Sequence, residues 1–195
     1  NIASGVLARA LGAIDLSVGT AVQTSGEASV GLELISRSSS VDAGIGGPVL
    51  ATGDFSSAVQ VLAQDWIQLS VASALEAFGR KSVGVDLTSK ADEVEVDIAG
   101  PVLATGDLSS AVRVFALDQI QLSAASALEV FGRKSVGVDL TSKANDVQVA
   151  IAGAVLVNGQ KAAGLRATSA SGGLVSLQAG SAVIASGNSA VALEL

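Results

Sequence analysis

The side chains able to do chemistry in this chain are carboxylates, hydroxyls and a few cations, because it contains no His and no Cys. That removes the usual general base, the thiolate nucleophile and the imidazole or thiolate metal sites. The familiar nucleophile and phosphate motifs are missing as well. None of Lys81, Lys90, Lys134, Lys143 and Lys161 follows a serine by three residues, and there is no G-x-S-x-G, P-loop or G-x-G-x-x-G. Carboxylate acid–base work is what remains. Asp92, Glu93, Glu95 and Asp97 form the densest group, and on a strand Glu95 and Asp97 share one face, where they could act as acid and base or hold calcium. Their partners further along are Asn145, Asp146, Gln148 and Ala150, so the group is not a property of any repeat, and a solvated edge face accounts for it.

A second set of acids is more regular. Glu33, Asp86, Asp139 and Glu194 occupy the same place in one recurring phrase, seen as Ser29-Val30-Gly31-Leu32-Glu33-Leu34, Ser82-Val83-Gly84-Val85-Asp86-Leu87 and Ser135-Val136-Gly137-Val138-Asp139-Leu140, and again in the tail that ends at Leu195. If the copies stack strand on strand, these acids form a column one or several strand spacings apart and need cations, partial protonation or basic neighbours. Arg80, Lys81, Arg133 and Lys134, across the adjacent turn, are the candidates to supply that charge. These eight residues make a candidate charge ladder or assembly surface; an ordinary solvent face with weak local pairs is the plainer account. No catalytic, cofactor-binding or metal-ligating residue is assigned. Trp66 could stack on a sugar, but Ala13 and Gln119 hold its place in the other copies, which points to incidental packing.

The elements that would position these residues follow from the repeat. Residues 47–90 and 100–143 differ at only seven places, namely 55, 60, 62, 64, 66, 71 and 77 and their partners, at a spacing of 53 residues. The relation extends to both ends, which divides the chain into one repeat domain, 1–195, with copies at 1–44, 45–97, 98–150 and 151–195. A period of this size marks a repeat architecture. One stretch, 57–78, reads as helix or strand when taken alone. Its first copy settles the matter, since Ile14, Leu16, Val18, Thr20 and Val22 alternate with Asp15, Ser17, Gly19, Ala21 and Gln23 at the strand period of two. Each full repeat is then expected to hold about four strands, 59–63, 67–77, 82–87 and 94–98, with 49–51 a possible fifth. Gly26, Gly79, Gly132 and Gly187 fall where turns need positive φ. The fold expected is all-β, a β-solenoid or similar stack; a closed propeller, barrel or sandwich is the rival.

Composition narrows the function classes. The chain has 195 residues, 49% hydrophobic and 15% charged, enough for one core. A net charge of -7 argues against nucleic-acid binding. No apolar run is long enough for a spanning helix, and with one Trp and no Tyr the aromatic girdles of an outer-membrane barrel cannot be built. The start at Asn1 without Met is what a mature form after removal of a leader would show. The resulting expectation is a non-enzymatic, secreted or extracellular structural protein. It would assemble with itself, head to tail through β-strand edges, into a filament, fibre or cohesive matrix, with no cofactor and no small-molecule ligand. A soluble β-repeat module binding a carbohydrate or protein partner is the alternative.

Overall fold

A computed structural model describes residues 3–195, so Asn1 lies outside the described residues. It is all-β, with 22 strands wound into a β-solenoid. Coil one holds β1 (Ser4–Ala10), β2 (Ile14–Val18) and β3 (Val22–Ser25), and coil two holds β4 (Val30–Ser36), β5 (Val41–Ile45) and β6 (Val49–Thr52). Coil three holds β7 (Ser57–Ala63), β8 (Ile67–Val71) and β9 (Leu75–Phe78), and coil four β10 (Val83–Ser89), β11 (Val94–Ile98) and β12 (Val102–Thr105). Coil five has β13 (Ser110–Ala116), β14 (Ile120–Ala124) and β15 (Leu128–Phe131); coil six has β16 (Val136–Ser142), β17 (Val147–Ile151) and β18 (Val155–Asn158). Coil seven has β19 (Ala163–Ser169), β20 (Val175–Ala179) and β21 (Val183–Ser186), and β22 (Val191–Glu194) begins an eighth. The first, second and third strands of successive coils pair in parallel to form sheets of eight, seven and seven strands.

The register explains the sequence period. Val30 lies opposite Ser57 and Ser57 opposite Val83, so one coil takes 27 residues and the next 26, and the 53-residue repeat is two coils. Six strands per repeat therefore replace the four or five expected. The stretch 67–77 is two strands, because Ala72-Ser73-Ala74 turns the chain between the second and third sheets. None of the closed rivals is formed.

The two coils of a repeat differ in the loop after the first strand. Coils two, four and six have a four-residue loop there, and each ends its strand on Ser36, Ser89 or Ser142. The hydroxyl accepts from the loop N–H of Ser39, Asp92 or Asn145, each at 3.2 Å, and donates to a carbonyl of the preceding coil, that of Gly12, Asp65 or Asp118. Coils one, three and five have three-residue loops and end the same strand on Ala10, Ala63 or Ala116. The hydroxyl occurs where the longer loop adds a backbone donor to satisfy.

The core is a set of columns along the solenoid axis. Leu32, Val59, Val85, Val112, Val138 and Leu165 form one in the first sheet, all at 0% exposure. At the corner from the third sheet back to the first, each coil repeats Gly-x-x-Ser or Gly-x-x-Ala. The residue before the Ser or Ala is left-handed, from Ala28 (φ 55) through Lys81 (φ 56) to Ser189 (φ 59). The Ser hydroxyls of this turn are fully buried at Ser29, Ser56, Ser82, Ser109 and Ser135. Ser29, Ser56 and Ser82 donate to the carbonyls of Thr52, Phe78 and Thr105, one turn of the solenoid further along the chain, which links successive turns in the interior by side-chain as well as ladder bonds.

Candidate functional site

The four in-phase acids fall on the outer face of the first sheet, at the fourth residue of its strands. Because a repeat is two coils, they sit on every second strand, ~9.6 Å apart, and a different residue fills each gap. Ladder pairing sets the column as Leu7, Glu33, Gln60, Asp86, Arg113, Asp139, Arg166 and Glu194. From Asp86 onward the signs alternate, and the like-charge problem expected of an unbroken acid column does not arise.

The partners differ from those expected. Arg113 is 3.7 Å from Asp86, and Arg166 is 2.9 Å from Glu194 and 4.0 Å from Asp139. Glu33 accepts from Arg9 at 2.9 Å and from the Ser4 hydroxyl at 2.8 Å. Arg80 and Arg133 instead pair with the preceding coil's acid in their own corner column: Arg80 with Asp54 at 3.3 Å and Arg133 with Asp107 at 2.6 Å. Lys81 stands over the Phe55 ring, 4.8 Å from its centroid. The sequence put the cations one column away from where they act. The period of 53 hid this, since comparing positions 53 apart never compares neighbouring coils, and only the 26- and 27-residue offsets bring Arg113 beside Asp86.

Burial and pairing compete along the ladder. Desolvation raises the Asp86 carboxyl above the usual aspartate value, with Arg113 opposing the shift. Asp107 is held low, because Arg133 donates to it from its guanidinium and from its backbone N–H. The corner column and the ladder enclose a groove of about 670 Å³. Its floor includes Val30, Ser57 and Val83, one wall carries Phe55, Lys81 and Leu108, and the other carries Glu33, Gln60, Asp86 and Arg113.

Elsewhere the surface is acidic and plain. All 11 Lys and Arg lie on the first sheet or in the turns at its two ends, while the strands of the other two sheets carry Asp15, Asp42, Glu76, Glu95, Asp97 and Glu129 and no cation. Glu95 and Asp97 share the outer face of β11, both exposed, as expected, and face Gln121 and Ser123 on the next coil. Among the described residues no three acids converge as a metal site would need, and no helix is long and apolar enough to cross a membrane. Trp66 lies in the loop between β7 and β8, 37% exposed. Comparison with protein-family models, with curated proteins and with solved structures found no match.

Proposed function

We propose that this chain is a non-enzymatic structural protein, secreted or extracellular, that assembles with its own copies end to end by adding β-strands at the solenoid's edges. One observation carries the reading. Among the described residues, three parallel strands at each end of the stack have a neighbour on one side only, β1, β2 and β3 at one end and β22, β20 and β21 at the other. The side chains that continue the core columns are partly open there: Val6, Ala8, Leu16 and Val22 at the first coil, Val175, Leu177 and Val183 at the seventh. Val191 and Leu193 on β22 are 48% and 42% exposed. Unpaired strand edges backed by apolar columns are templates for further strands, and a heterologous contact of this kind propagates.

Negative-stain electron microscopy beside light scattering across a dilution series tests this. Filaments of one width, growing with concentration, are expected, and Leu16→Lys or Leu177→Lys, each placing a charge on the inner face of an edge strand, should shorten them while circular dichroism is unchanged. A stable monomer at high concentration overturns the reading and turns attention to a partner-binding role.

A further inference from the structure

The outer face of the first sheet is charged in a pattern that a second copy of the same face would complement. On the corner column the coils two to seven present Ala28, Phe55, Lys81, Leu108, Lys134 and Lys161, and the residues just before them include Glu27, Asp54 and Asp107. On the ladder column the same coils present Glu33, Gln60, Asp86, Arg113, Asp139 and Arg166. The acids of this face gather toward coils two and three, and its cations toward coils six and seven. Lys134 and Lys161 have no carboxylate in ion-pair range among the described residues, and Phe55 and Leu108 are each 44% exposed.

We propose that two copies pair through this face, antiparallel, about a two-fold axis that crosses the solenoid between its fourth and fifth coils. Such an axis lays each column on its own copy and sets coil two against seven, three against six and four against five. Glu33 then meets Arg166, Asp86 meets Arg113, and Gln60 meets Asp139. Along the corner Phe55 receives Lys134, with Asp54 beside it, and Lys161 arrives next to Glu27. Column on column, every charged contact is of opposite sign or neutral; Lys134 approaches Phe55 on the side away from Lys81, which stands 4.8 Å from the ring centroid, with Asp54 close to both cations. A parallel pair about an axis along the solenoid sets the corner of one copy on the ladder of the other; Lys81 then meets Asp86 and Lys134 meets Asp139, but Glu27 falls against Glu33 and Lys161 against Arg166, like-charge contacts that the antiparallel columns do not make. The face is also large enough. Eight strands at ~4.8 Å and seven residues at ~3.3 Å span roughly 38 by 23 Å, comparable with the ~800 Å² per partner of a standard interface.

Because the contact is isologous it closes at two copies, and it is independent of end-to-end growth. The chain has no Cys, so single cysteines report on it cleanly. Gln60→Cys and Asp139→Cys, prepared separately and oxidised after mixing at low salt, should give a cross-linked pair, with little from either variant alone. Thr88→Cys mixed with Phe115→Cys repeats the test at the centre of the face, where coils four and five meet. At concentrations below the onset of filament growth, sedimentation of the unmodified chain should show a dimer that weakens at least about tenfold between low and high salt, since screening removes the exposed pairs. The Leu16→Lys and Leu177→Lys chains should still dimerise. A monomer at low salt, or cross-linking that mixing does not increase in either pair, overturns the proposal.

Discussion

At the scale of single residues, the ladder shows how one carboxylate can be paired and still uncomfortable. The Asp86 side chain keeps only 22% of its exposure, and Arg113 stands 3.7 Å away, too far for the close bond that would offset desolvation. With its carboxyl raised, the folded chain binds a proton more readily than the unfolded one just above the usual aspartate range, so this residue's contribution to stability falls as pH rises through that window. Asp86→Asn should therefore flatten the stability curve there and leave the protein at pH 7 as stable or up to about 1 kcal/mol more stable, read from denaturant midpoints at several pH values. A loss of stability at pH 7 would mean that the Arg113 pair outweighs burial. Asp107 has the opposite sign. Its carboxyl is lowered by Arg133, so what that pair contributes is present above the ordinary aspartate value and is lost as pH falls through the lowered one.

At the scale of elements, the corner turn decides the fit of one coil on the next. Gly79 has φ 130, and a Cβ there would stand 2.1 Å from the Gly53 carbonyl oxygen of the coil below. Backbone meets backbone at that point, and no rotamer relieves it. Gly53, Gly106, Gly132 and Gly187 repeat the contact along the column. Gly79→Ala should cost more than ~3 kcal/mol, from left-handed strain and the clash together, whereas Gly19→Ala, with nothing within 4 Å of its Cβ, should shift the thermal midpoint little. Equal effects in thermal melts would show that the corner column can spread. The glycines at 26, 79, 132 and 187 were legible from the sequence because a repeat puts the same residue in the same turn. Gly53 and Gly106 belong to the same column, but a comparison at 53 residues does not link them to these four, because they lie on the intervening coils.

At the scale of the whole molecule, stability is a sum over neighbouring coils, and the ladder makes the two-coil repeat the electrostatic unit. Removing residues 54–106 deletes two coils and brings Glu33 beside Arg113, an opposite pair; removing 54–79 deletes one and brings Glu33 beside Asp86, two acids ~4.8 Å apart. The shorter deletion also sets two coils with four-residue loops next to one another. The two-coil deletion should fold with a midpoint near that of the intact chain, and the one-coil deletion, although it removes less, should unfold at lower temperature and recover partly on acidification. The reverse order in thermal unfolding would show that loop and charge alternation are dispensable.

The sequence by itself determined that the chain is all-β, that it repeats every 53 residues, which residues alternate into the core and where glycine turns it, because period-two patterning and φ preference are local properties that every copy states again. Only the tertiary structure decided that a repeat is two coils, and with that the neighbours of each outward side chain. Ladder partners lie 26 to 28 residues apart, in segments such as 57–63 and 83–89 whose outward residues share no identity, so nothing local signals the pairing. What selects it is closure of the coil: three sheets around one core fix how many residues a turn takes, and that number placed Arg113 and Arg166 between the acids while leaving Arg80 and Arg133 at the corner with Asp54 and Asp107.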